Sequence, residues 1–290
     1  MSSKFQLKND QLTAVLTTQG AELVSLIDTE GIDYIWGADE RYWKRHTPIL
    51  FPIVGKIVEG KYSFKGKEYL LPAHGFARDM TFEVENETKE SITFVLTSSL
   101  NTKAMYPFDF CLKVIYTLEG KKLHITYEVV NVDSDTLYFK IGAHPGFRCP
   151  LFEGETIEDY YLEFEKQEDA TELLVTPDVY LSNQIRPFSG KEIKLTKDLF
   201  KEGPLVFSQY KSTKMSLKGF KNDSKLTVEF EGFPFLGIWS TTDEAPFICI
   251  EPWHGHADFV DDSKEIAEKK DVLSLKPREV FKCTHSISIG

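Results

Sequence analysis

Leu112-Lys-Val-Ile-Tyr-Thr-Leu118, Glu119-Gly-Lys-Lys122 and Leu123-His-Ile-Thr-Tyr-Glu-Val129 run on without a break, and their reading decides the fold. Apolar side chains fall at every second position, at Leu112, Val114, Tyr116 and Leu118 and again at Leu123, Ile125, Tyr127 and Val129. A period of two belongs to a strand with one buried face. Gly120 supplies the unusual backbone angle that a tight turn between two such strands needs, so the stretch predicts an antiparallel hairpin. The same unit recurs at 62–71 around Lys65-Gly66-Lys67 and at 215–230 around Lys221-Asn222-Asp223-Ser224, and Ile92, Phe94 and Leu96 mark a further half-buried strand. Helical signals are few: Asp262-Ser-Lys-Glu265 resembles a capping box before Ile266-Ala-Glu-Lys-Lys270, and 39–46 is a second short candidate. No Gly/Ser-rich linker, low-complexity tract or clean repeat interrupts the series. The expectation is an all-β chain, with residues 1–290 in one large antiparallel β-sandwich domain carrying a few short helices.

Composition fits that reading and narrows the function classes. Hydrophobic residues make up 41% of the 290, enough for a sizeable core, and the 22 Phe and 12 Tyr suit pleated, packed surfaces. The formal net charge of -11, with lysines scattered among acids, argues against nucleic acid or an acidic membrane surface as partner. The first ten residues are polar and charged, and no run approaches the roughly 20 apolar residues of a membrane helix. Cys111, Cys149, Cys249 and Cys283 are far apart and form no C-x-x-C spacing, so they read as reduced, inert thiols of a cytoplasmic protein.

Three segments break the alternation with polar residues beside Gly and Pro: Leu71-Pro-Ala-His-Gly-Phe-Ala-Arg-Asp79, Ile141-Gly-Ala-His-Pro-Gly-Phe147 and Cys249-Ile-Glu-Pro-Trp-His-Gly-His-Ala-Asp258. Each follows or ends an apolar run, which puts it at a strand end facing a shared cleft. Taken singly they are weak signals. His144 alone reads as a hydrogen-bonded structural histidine. Glu251 closes Phe247-Ile-Cys-Ile250, and a carboxylate on a buried strand is either paired or held for function; Arg78 is one available partner.

Together, His74-Gly-Phe-Ala-Arg78, Ala143-His-Pro-Gly-Phe147 and Ile250-Glu-Pro-Trp253, in that order, resemble the aldose 1-epimerase (galactose mutarotase-like) family, in its branch near the hexose-6-phosphate mutarotases. The likeness runs from Gly20-Ala-Glu-Leu-Val-Ser25 past Pro277-Arg278. It implies a mutarotase-like supersandwich and the interconversion of α and β anomers of a hexose or hexose 6-phosphate. By the same likeness Glu251 would take the anomeric proton, His144 would protonate the ring oxygen and His74 would hydrogen-bond the sugar. Two neighbouring oxygens must exchange protons together, and a Glu and a His can hold their charged forms side by side, so that assignment is chemically sufficient without metal or organic cofactor. Where galactose mutarotases carry an Asn-Arg pair this chain has Gly55-Lys56, and no counterpart of their intervening Asp stands in Pro204-Leu-Val-Phe-Ser-Gln209. Lys56 and Arg78, with Arg45 less well placed, offer charges for a phosphate, while Phe147, Trp239 and Trp253 are candidates for an aromatic floor under the sugar.

Three other classes compete. The two histidines and Asp258 of His254-Gly-His-Ala-Asp258 could pinch one cation in a metal hydrolase, but no second His pair accompanies them. A glycoside hydrolase needs two carboxylates, and the motif partner of Glu251 is a histidine. A non-catalytic sugar-binding or sensing protein needs neither proton donor nor acceptor, yet the same sandwich could serve it.

Overall fold

A computed structural model describes residues 3–241 and 245–290. Its main element is a 15-stranded antiparallel sheet, joined by a three-stranded sheet near the N-terminus and two two-stranded ribbons. The hairpin read first in the sequence is there: Phe110–Glu119 pairs with Lys122–Asn131, Lys122 opposite Glu119. Its connection is the two residues Gly120 and Lys121, with φ of +56° at Gly120, the positive first position of a type II′ turn. Lys61–Phe64 and Lys67–Leu70 form the second hairpin, turned by Lys65 and Gly66 with both φ positive, as type I′ requires. Lys214–Gly219 and Lys225–Glu229 form the third.

The large sheet folds over on itself. Ile49–Leu50 lies at one end of its strand order and Phe110–Glu119 ten strands on, a separation of roughly 48 Å if flat. Yet the rings of Phe51 and Phe110 are 5.2 Å apart. Leu112, Val114, Tyr116 and Leu118 from that far end share a core with Ile248 and Ile250, from strand Phe247–His254 near the first end. This is the expected antiparallel sandwich, and its driving force is the burial of one apolar face per strand.

Helices differ from expectation. The run after Asp262 makes only a single 3-10 turn, Ile266–Glu268, with no capping side chain at Glu265. Asp262 and Ser263 instead bind nearby backbone: Asp262 Oδ1 accepts from Ser263 and Lys270, and Ser263 Oγ from Glu265. Residues 39–46 form turns about Asp39, whose carbonyl accepts from the N–H groups of Tyr42 and Trp43. The α-helix that does form, Leu100–Met105, starts at a capping box between Ser99 and Thr102.

Candidate active site

Strand Phe247–His254 is buried along nearly its whole length, and alternation puts Cys249, Glu251 and Trp253 on one side of it. Two short strands, Ile141–Ala143 and Gly146–Arg148, run along its edge. Gly142 stands opposite Trp253 and Gly146 opposite Cys249, so the same register holds on both sides of the gap and His144 faces Glu251. The ladder is interrupted there because Pro145 has no N–H to give, while the His144 N–H turns to the carbonyl of Pro48, 3.1 Å away. A cross-strand pair projects its side chains from one face, and His144 Nε2 lies 3.3 Å from Glu251 Oε2.

Small residues clear space around this pair. Gly237 is opposite Glu251 on the other flank, in strand Phe235–Trp239, and a Cβ there would lie 2.3 Å from the Trp253 ring. A Cβ at Gly142 would meet the same indole at 2.5 Å, and one at Gly146 would come within 2.9 Å of Trp43. Trp253 therefore lies flat over two glycines, and Trp43 reaches over a third to stack on His144, with centroids 4.9 Å apart and planes 27° apart. Trp239 meets His144 edge-on at 5.5 Å, which leaves the imidazole little freedom to turn.

The pair opens into a cavity of ≈ 1060 Å³ whose wall includes His74, Arg78, Lys56, Trp43, Trp239 and Trp253. His74 is held through backbone: its Nδ1 accepts from the Gly55 N–H at 3.2 Å, and its own N–H donates to the Gly55 carbonyl at 2.7 Å. That acceptor role leaves the ring proton on Nε2, a donor beside His144, whose ring is 5.4 Å away. Arg78 donates to the Ala73 carbonyl at 2.6 Å, and its buried Nε has no hydrogen-bond partner among the described residues. Lys56 Nζ reaches the carbonyl of Asp178, 2.9 Å away.

Burial sets the protonation states. It pushes the Glu251 carboxyl well above its ordinary 4.5. It lowers His144 to about 3, with Arg78 and then Arg45 adding repulsion. His74 falls well below 6.5 for the same first reason, reinforced by His144 and Arg78. Arg78 is itself lowered to about 10 by burial and by Arg45, and stays charged at neutral pH. Burial therefore favours the neutral carboxylic acid at Glu251 and the neutral imidazole at His144.

Comparison with known proteins gives the family. The family model for aldose 1-epimerase matches residues 3–274. This chain belongs to the aldose 1-epimerase family. The plasmid-encoded protein LacX of Lactococcus lactis is 35% identical over 294 residues, covering 98% of each chain. A galactose mutarotase related enzyme from Lactobacillus acidophilus superposes with a TM-score of 0.96 at 35% identity, over 99% of this chain and 97% of its own. A galactose mutarotase-like protein from Lactobacillus casei gives 0.94 at 28% identity, over 99% and 100%.

Within this epimerase frame some sequence expectations need correcting. Phe147 is no floor for a sugar: it is fully buried in the main core, paired with Ile248, and absent from the cavity wall. Arg78 makes no ion pair with Glu251; its carboxylate contact is Asp79, 3.8 Å away. The His254-Gly-His-Ala-Asp258 run does not converge on one point. His254 packs on Phe233 and Phe281, His256 binds Asp271 at 3.0 Å, and Asp258 binds Lys269 at 2.5 Å. Among the described residues the one mixed cluster with metal-ligand atoms in reach is His144, Cys249 and Glu251. Burial raises the Cys249 thiol well above 9.0, which keeps it protonated and a poor ligand. Trp43 was missed as a site residue, because it sits in a stretch read as a short helix, and only the glycine at 146 hints that a large ring must pass there.

Proposed function

We propose that this protein interconverts the α and β anomers of a hexose by general acid–base ring opening, with Glu251 and His144 as the catalytic residues. The observation that carries the reading is their opposition across one strand pair, 3.3 Å apart at the floor of an open cavity. Opening starts from the form in which Glu251 is ionised and His144 is protonated. Glu251 takes the proton from the hydroxyl on C1, the C1–O5 bond breaks, and His144 donates to O5. Glu251 is now a neutral acid and His144 a neutral imidazole, the forms that burial favours, so the enzyme side of the open-chain state is the stable one. After rotation about C1–C2 the O5 hydroxyl attacks the other face, His144 accepts its proton and Glu251 returns one to the carbonyl oxygen. Protons balance and no group is consumed.

His74, donating from Nε2, and Trp239 position the ring in this scheme, and Arg78 and Lys56 bind the sugar's outer groups. The buried, unfilled Nε of Arg78 and its retained charge support a substrate phosphorylated at C6, since guanidinium forks match phosphate oxygens. We further infer one domain over 1–290, supported by a core that runs from Leu7 to Ile289, and a cytoplasmic location, supported by four free thiols. Among the described residues, no helix is long and apolar enough to cross a membrane. Polarimetry on freshly dissolved single anomers of hexoses and hexose 6-phosphates tests the proposal. Faster relaxation than in buffer for at least one sugar is expected; unchanged rates across the panel, with binding retained, would assign a sugar-sensing role instead.

A further inference from the structure

We propose that Asp258, neutralised by Lys269, is a positioning residue for the sugar site, acting on His74 through the Gly55–Val58 backbone. Asp258 is fully buried, and it grips that segment twice. Its Oδ2 accepts from the Val58 N–H at 2.9 Å, and its own N–H donates to the Lys56 carbonyl at 2.8 Å. Lys269, also buried, reaches the same Oδ2 at 2.5 Å and the Ser263 carbonyl at 2.8 Å. A second buried cation, Lys140, donates to the His256 carbonyl at 2.9 Å and fixes the near end of the loop that carries Asp258.

A charge pair sealed from water is expensive to bury and is poorly explained by stability alone. Its geometry has a direct consequence for the cavity. Ala257 presses so closely on Gly55 that a Cβ there would lie 2.5 Å from the alanine methyl, so the two segments meet without slack. Both residues line the cavity. Gly55 then fixes His74 by its two reciprocal bonds, one of which selects the Nε2–H form of the ring. The route from Asp258 to the His74 donor is thus continuous: carboxylate, Val58 and Lys56 backbone, Gly55, imidazole. Asp258 itself touches no substrate, and the Asp258–Lys269 pair is absent from the cavity wall.

Three variants separate this role from plain support of the fold. Asp258→Ala with Lys269→Met removes both charges and the acceptor; Asp258→Asn with Lys269→Met removes the charges but keeps an acceptor for Val58. A third, Val58→Pro, removes the donor and sets a ring carbon against Asp258 Oδ2, breaking the grip from the backbone side, at the first residue of a 3-10 turn where proline fits and after an Ile57 that is already extended at φ -103° and ψ 150°. Nitrogen-15 NMR of the His74 ring reads the tautomer without any reference to activity. The Ala/Met and Pro variants are expected to give a mixture of tautomers, and the Asn/Met variant the wild-type Nε2–H form. The kinetic arm rests on the epimerase reading: KM should rise about 10- to 100-fold in the Ala/Met and Pro variants while kcat changes little, and much less in a His74→Ala background. An unchanged His74 tautomer in Val58→Pro, or losses fully additive with His74→Ala, would overturn the proposal, whether or not the Ala/Met protein folds.

Discussion

Replacing Glu251 with Gln removes the proposed base and should also make the protein more stable at neutral pH. Glutamine has nearly the shape of a protonated glutamic acid, and burial favours that form of Glu251 by raising its pKa well above 4.5. The sign follows from linkage. A carboxyl whose folded pKa is raised supports the fold fully below the unfolded value, and that support is lost as pH rises through the folded value. Each pH unit above 4.5 costs the wild type about 1.4 kcal/mol until the folded pKa is reached, so the ceiling on the gain at pH 7 is roughly 3 kcal/mol. Denaturant unfolding of the wild type and Glu251→Gln at pH 4.5, 6 and 7 measures it. The variant should match the wild type at pH 4.5 and pull ahead as pH rises. A variant less stable than the wild type at pH 7 would refute the reasoning, because it would mean Glu251 rests as a carboxylate paired with a charged His144.

Three further outcomes follow from particular contacts. His285 is buried with its pKa lowered to about 3, so folding resists its protonation and stability should fall as pH drops below about 6.5; His285→Phe should flatten that limb by up to about 1.4 kcal/mol per pH unit in unfolding titrations. Gly237→Ala puts a methyl 2.3 Å from the Trp253 ring, which should cost about 1–3 kcal/mol in denaturant unfolding and reduce activity as the indole is displaced from beside Glu251. Arg78→Ala should raise KM for a hexose 6-phosphate by about 10-fold or more while changing that for the free hexose little; equal losses would give Arg78 an orienting role through the Ala73 carbonyl instead.

The period-two pattern at 112–129 gave the hairpin and its buried face directly, because half-buried strands write their geometry into alternation. What it could not give was the order of strands: that Phe51 meets Phe110 depends on a sheet folding over many strands, a tertiary fact with no local signal. The proposed catalytic pair was legible as two motifs, and its register became visible only once Gly142 and Gly146 were seen flanking one strand. Trp43 was hidden for a related reason. Turns around Asp39, which local propensity read as helix, deliver its ring to His144 from a distant part of the chain. Phe147 shows the reverse error: motif adjacency suggested the site, but alternation from His144 turns its side chain into the core. Asp258 looked like a metal ligand because its partner, Lys269, is separated from it by a loop with no motif of its own.

Exchange between the two anomers of a sugar can be watched directly at equilibrium. Magnetisation transfer between the α and β anomeric protons, recorded by NMR exchange spectroscopy with increasing protein, should grow in proportion to the wild-type concentration. It should fall by about 10²–10⁴-fold with Glu251→Gln or His144→Asn, both still folded. Transfer that persists undiminished in either variant would contradict the claim that this imidazole and this carboxylate carry the chemistry.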